Sequence, residues 1–192
     1  MHLASSQKYS HQPHAINLSD SDTLQRHLDV RFHQLNTAVT LEMWQEAFRS
    51  AEDIHALVNM SKRAPKPSMM AAYYEKLVRI FAVGSDFLFH AAAYSKLNSV
   101  LLSAGISAPV ATAKDDTEAS SDTLVLLSAL AVPLGPSRTT EDTALERQKN
   151  QRLATLLSLT GPPSRSALLA DAVRGHASDS LELPSQSSLV LK

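Results

Sequence analysis

Apolar residues recur at spacings of three and four through most of this chain, and the clearest run lies at 41–58. There Leu41, Trp44, Phe48, Ala51, Ile54 and Val58 put one continuous stripe on a helix roughly five turns long. Such a stripe needs a partner. Trp44 and Phe48 carry much of its area, since each buried aromatic removes on the order of 150–250 Å² from water. The pattern therefore places both in the core and predicts that Trp44→Ala costs roughly 3–5 kcal/mol. The opposite face is Glu42, Gln45, Glu46, Arg49, Glu52 and Asp53, a solvated face or one that docks a polar partner, with Glu46 and Arg49 spaced for an i,i+3 pair.

The same periodicity extends both ways. Ser19 or Asp20 is placed to cap a first helix with the stripe Leu24, Leu28, Phe32, Leu35 and Val39, and the β-branched segment 37–40 predicts a turn back into the Trp44 helix. Pro65 and Pro67 end that pair. A third helix over 68–83 would bury Met70, Tyr73, Tyr74, Leu77, Ile80 and Phe81, with Gly84 as a left-handed stop. Ser85 or Asp86 would cap a fourth, ending at Gly105, in which Ala91, Ala92 and Ala93 allow two helix axes to approach closely. After a polar joint at 106–120, Ser121 or Asp122 would cap the run 123–132, which is apolar all round and is expected to be a wholly buried helix. Thr140 would cap a sixth helix through Leu145, Leu153, Leu156 and Leu157, stopped by Gly161, Pro162 and Pro163. A last helix at 164–173 would use Leu168, Leu169 and Val173.

These elements predict an all-α fold: stacked antiparallel helical hairpins in a TPR- or HEAT-like right-handed solenoid, with no TPR or ankyrin consensus in the residues themselves. The divisions expected are a connector at 1–18, a helical-repeat array at 19–174 and a divergent, disordered tail at 175–192. That tail leaves the outer face of the last helix uncovered.

Composition agrees with helices: of 192 residues 44% are apolar, 5% are aromatic and only 5 are Gly. A net charge of -1 supplies no global field for nucleic acid or an anionic membrane. With no Cys there is no disulfide, thiolate zinc site or thiol nucleophile. The first residues lack a basic region followed by an apolar run, and no stretch of about 18 apolar residues occurs, so a soluble, cytoplasmic chain with no membrane partner is expected. The Asn17-Leu18-Ser19 glycosylation pattern is then a chance match.

Chemistry is sparse. His11 and His14 lack an acidic third ligand, and His27 and His33 face different sides of a helix. His55 and His90 sit on apolar-rich helices as structural histidines. No serine elbow, phosphate loop or dinucleotide fingerprint is present, and adjacent Glu52 and Asp53 point to different sides of their helix. No enzyme activity, cofactor or metal is expected. Lys62, Arg63 and Lys66 form the one local basic cluster, held between helices by prolines. It is either a solvated turn that compensates a helix dipole or a small contact for RNA phosphate or a partner, and three charges without an aromatic platform make a thin footprint.

Specific runs resemble one family. They are Asp22-Thr23-Leu24-Gln25-Arg26-His27-Leu28, Arg31-Phe32-His33-Gln34-Leu35-Asn36, the segment 41–50 with Glu52-Asp53-Ile54-His55, then Ser61-Lys62-Arg63, Tyr73-Tyr74-Glu75-Lys76-Leu77 and Leu88-Phe89-His90-Ala91-Ala92-Ala93. Weaker runs are Val132-Pro133-Leu134 and Arg152-Leu153-Ala154-Thr155-Leu156-Leu157. Over about 7–174 the chain resembles the largest, or a, subunit of eukaryotic translation initiation factor 3. The resemblance implies a helical-repeat arm preceding a PCI domain, in a non-catalytic scaffold that contacts mRNA and holds the factor together on the small ribosomal subunit. It implies as partners the small ribosomal subunit, the other subunits of the factor, PCI-containing ones especially, and weak contact to mRNA or rRNA. Two departures accompany it: set against the family pattern, the chain is expected to lack much of the N-terminal region, and after Arg174 the pattern is lost, so the winged-helix part of a PCI domain is not expected. The alternative from the residues alone is a direct RNA-binding module acting through Lys62, Arg63 and Lys66.

Overall fold

Asp20 opens the first helix. Its carboxylate accepts hydrogen bonds from the Thr23 backbone N–H at 3.0 Å and the Thr23 hydroxyl at 2.7 Å, which satisfies a first-turn donor and holds the acid below its usual range. The computed structural model describes residues 20–61, 64–105, 121–133 and 144–179, and over these it contains seven helices and no strand. They are α1 (Ser21–Thr40), α2 (Trp44–Met60), α3 (Pro67–Val83), α4 (Phe87–Ala104), α5 (Ser121–Leu130), α6 (Ala144–Leu156) and α7 (Arg165–Asp179). The all-α expectation holds. The connector at 1–18, the joint at 106–120, Thr140 and the chain from 180 onward lie outside the described residues.

Three helices end in the same way, and none uses the residue that composition suggests. After α1, Glu42 has φ 56°, its N–H donates to Val39 O at 3.2 Å, and the Met43 N–H donates to Ala38 O at 2.8 Å. This is the Schellman pattern, in which one left-handed residue turns two carbonyls of the last turn back onto the following N–H groups. After α3 the left-handed residue is Ser85 (φ 57°), with Ser85 N–H to Ala82 O and Asp86 N–H to Phe81 O. After α6 it is Ser158 (φ 53°), with the corresponding bonds to Thr155 O and Ala154 O. Gly84 is therefore not the left-handed stop: it is right-handed at φ -70°, one position early. Gly105, at φ 61°, does end α4 as expected. Since α1 runs through Thr40, the turn falls at 41–43 and α2 starts at Trp44 with no side-chain cap.

The buried ridge of α2 is offset from the expected stripe. Leu41 lies outside the helix and is exposed, Trp44 and Phe48 are only partly buried, and the buried positions are Ala47, Ser50, Ala51, Ile54 and Leu57. The expectation that both aromatics are core is corrected. The enclosed ridge of α2 is made mostly of small residues, Ala47, Ser50 and Ala51 with Ile54 and Leu57, and Trp44 and Phe48 lie at its edge, packed against the core but still partly exposed. Arg31 of α1 reaches α2, its guanidinium 3.2 Å from the Asp53 carboxylate and 2.9 Å from Gln34 Oε1.

α3 and α4 form the second hairpin, with Phe81 and Phe89 6.2 Å apart between ring centres and all three consecutive alanines buried. It stacks on the first hairpin through α3, which meets both α1 and α2. Tyr73, Leu77, Phe81, Ile54, Leu57, Leu35 and Leu157 are the large side chains fully enclosed there. Beyond α4 the simple alternation of hairpins breaks: α5 packs on α4, α7 packs on α5 and α4, and α6 returns to α2. α5 is not wholly buried. Val125 and Ala129, with Val132 just past its end, are enclosed while Leu127 and Leu130 are exposed, since among the described residues α4 and α7 pack on only part of its surface. In α7 the buried residues are Leu168 and Ala172 rather than Val173, and the helix runs on to Asp179, past the boundary set at 175. Gly175 disfavours a helix by only about 1 kcal/mol, too little to end one.

Candidate partner-binding site

Among the described residues, the surroundings of the basic cluster and a cleft near α6 are two places where polar and apolar groups converge. Of the cluster, Lys62 and Arg63 lie outside the described residues. Lys66 is the exposed residue preceding α3, in extended backbone, and it lines a cleft of about 370 Å³ together with Asp22, Asp29, Leu28 and Met69. Two carboxylates therefore share the space with this lysine.

The larger cleft, about 680 Å³, lies where α6 meets α2 and the turn between α3 and α4. Trp44 and Phe48 of α2, Val83 at the end of α3 and Leu145 and Leu153 of α6 provide its apolar lining. Its shape depends on how α6 is attached. Arg152 donates from Nε and Nη2 to the two oxygens of Glu52 at 2.7 and 2.8 Å, across 100 residues of sequence, and its guanidinium lies 5.4 Å from the centre of the Phe48 ring. The Glu52 hydrogen bond, then its charge, raises the Arg152 pKa further. Lys149 Nζ donates to Asp86 Oδ1 at 2.7 Å. α6 is also held from within: the buried Tyr73 hydroxyl donates to Leu156 O at 3.1 Å, with Ala51 O at 3.5 Å, joining α3, α6 and α2. Burial, with Tyr74 and Glu52 nearby, pushes that phenol far above its ordinary value.

The polar face expected of α2 is divided: Glu42, Gln45, Glu46 and Arg49 are exposed, whereas Glu52 holds α6 and Asp53 holds α1. Glu46 and Arg49 do pair, at 2.8 Å. His55 lies 3.4 Å from Ser158 Oγ, and His90 packs edge-on to Tyr94 at 5.1 Å; burial lowers the pKa of both. Among the described residues no group of three His, Asp or Glu side chains is arranged to hold a metal ion, and no helix is long and apolar enough to cross a membrane. Sequence reasoning missed Asp86, Leu145, Lys149 and Arg152 as site residues. Nothing local marks them, because each matters only through a partner brought from another helix.

A family model described as "eIF3a, PCI domain, TPR-like region" matches residues 1–182 of this chain. The chain belongs to the eIF3a family of eukaryotic translation initiation factor 3. Curated relatives named as this same component of the factor include those of Coccidioides immitis, 49% identical, and of Aspergillus terreus and Aspergillus niger, each 51% identical. In all three the match covers 90% of this chain and 18% of the relative. The chain therefore spans less than a fifth of the length of these eIF3a proteins. The TPR-like description of the family agrees with the stacked helical pairs α1–α2 and α3–α4.

Proposed function

We propose that this chain is a non-catalytic scaffold segment of initiation factor 3 that works in the cytoplasm by protein contacts along its helical stack. Through those contacts it supports assembly of the factor with its other subunits, PCI-containing ones especially, on the small ribosomal subunit, and with it recruitment of mRNA. The observation that carries the reading is membership of the eIF3a family over nearly the whole chain. The surface supports it: the cleft of α2, α3 and α6 exposes apolar side chains between ion pairs, a surface suited to another polypeptide. The test is a pull-down from cell lysate with the tagged 192-residue chain, the other subunits of the factor being probed individually. Capture of at least one of them is expected; capture of none overturns the proposal.

The alternative, an RNA-binding module through Lys62, Arg63 and Lys66, rests on that basic triplet alone. Asp22 and Asp29 beside Lys66 weaken the local field that RNA phosphate would need. A steep fall of RNA affinity with salt would favour it, and salt-insensitive capture of a protein partner favours the scaffold.

A further inference from the structure

Exposed apolar residues scattered singly mean little, but in the α2–α3–α6 cleft they converge. Leu145 is 77% exposed on α6, Val83 is exposed at the end of α3, and both line the same space as partly buried Trp44 and Phe48. Its volume of about 680 Å³ falls within the roughly 300–1,000 Å³ typical of binding pockets. The charges around it are ordered. Lys149 is 57% exposed and its partner Asp86 21%; Arg152 is 59% exposed and Glu52 30%. Carboxylates therefore lie beneath and cations point outward, so the rim meets solvent as Lys149 and Arg152.

Resting on the scaffold reading, we propose that this cleft is a docking groove for one amphipathic helix of another protein of the factor. The helix inserts two large apolar side chains, spaced i and i+4, beside Leu145 and Val83. Its flanking Asp or Glu accepts hydrogen bonds from the N–H groups of Lys149 and Arg152 that the bonds to Asp86 and Glu52 leave unused, a short-range contact that needs no net local charge. Residues four apart on such a helix stand about 5–6 Å from each other on one face, so both enter the same cleft. A nucleic-acid strand fits worse. Its affinity grows with uncompensated cations, whereas Arg49, Lys149 and Arg152 each hold a carboxylate at 2.8 Å or less. One face for stacking is also taken, since Arg152 covers Phe48.

Trp44 is the only tryptophan of the chain, so its emission reports directly on this groove. The probe is a synthetic peptide of about 18 residues, long enough to hold a helix in water, with Leu at two positions four apart and Glu beside them. With the full chain it should shift Trp44 emission to the blue and saturate. The same peptide with both Leu replaced by Ser should not. Leu145→Glu, and independently Val83→Glu, alter exposed side chains, so circular dichroism should stay unchanged while peptide affinity falls by about tenfold or more. Capture of the factor's other subunits from lysate should fall with it. An equal shift with the Ser peptide, or a shift produced only by a short single-stranded RNA, overturns the proposal. So does capture undiminished in both variants, an outcome that leaves the scaffold reading standing; no capture by the unaltered chain instead overturns that reading and, with it, the assignment of the occupant.

Discussion

Ile54 and Trp44 share a helix and differ in what surrounds them. Ile54 is fully enclosed between hairpins, while Trp44 lines an open groove. Ile54→Ala should therefore lower the unfolding free energy by about 2–5 kcal/mol, whereas Trp44→Ala should cost only about 1–2 kcal/mol, in urea titrations of the two variants. Equal losses would return Trp44 to the core. Tyr73 offers a test in alkali. In the unfolded chain its phenol ionises near pH 10, but burial keeps it neutral well beyond that, so its contribution is complete below pH 10 and is lost as pH rises above it. Tyr73→Phe should cost about 1–2 kcal/mol at neutral pH, through the donor lost to Leu156 O, and should flatten the alkaline slope. Tyr74, raised by burial as well, keeps part of that slope. In acid the sign is opposite. His55 and His90 have lowered pKa values, so the stability they support is present above about pH 6.5 and is lost as pH falls through that value, because protons bind the unfolded chain first. A His55→Gln, His90→Gln double variant should show a shallower loss of melting temperature as pH falls below about 6.5.

The helix ends carry the testable strain. At Glu42 and Ser85 an L side chain occupies the left-handed region, where glycine would sit without penalty. Glu42→Gly and Ser85→Gly should each raise stability by about 0.5–1 kcal/mol, measured as a higher urea midpoint with an unchanged slope. Gly84→Ala should be nearly neutral, since Gly84 is right-handed and the nearest neighbour of an added Cβ is the carboxylate end of Asp86 at 3.2 Å. If Gly84→Ala instead destabilises strongly and Ser85→Gly does nothing, the left-handed residue is Gly84 after all. The position of these stops was only half legible. Gly84 announces the end of α3 in sequence, but whether it serves as the last helical residue or the left-handed one depends on the two backbone bonds that follow it.

For the molecule as a whole, charge decides what it does not do. With a net charge of -1, and with Lys149 and Arg152 at the groove each paired, the chain should bind a generic RNA no more tightly than about 10⁻⁴–10⁻⁶ M at physiological salt, by fluorescence anisotropy. Submicromolar binding lost on neutralising Lys62, Arg63 and Lys66 would reverse that. At this scale the two hairpins were readable in advance because their partners are neighbours in sequence. The return of α6 to α2 was not, since its short buried end at Leu153, Ala154 and Leu156 would suit any apolar seam.

By itself the sequence determined that the chain is helical, roughly where each of its helices lies, and to which family it belongs. Those follow from spacing, capping residues and runs such as 41–50, all local properties of the chain. Tertiary structure decided which ridge of α2 is buried, because α1, α3 and α6 all pack on this helix and together enclose Ala47, Ala51, Ile54 and Leu57 while leaving Trp44 and Phe48 at an open edge. It also decided the fate of the charges. Glu52 and Arg152 lie 100 residues apart, and no local rule pairs them; only the packing of α6 over α2 brings the carboxylate and the guanidinium within 2.7 Å and leaves a groove beside them.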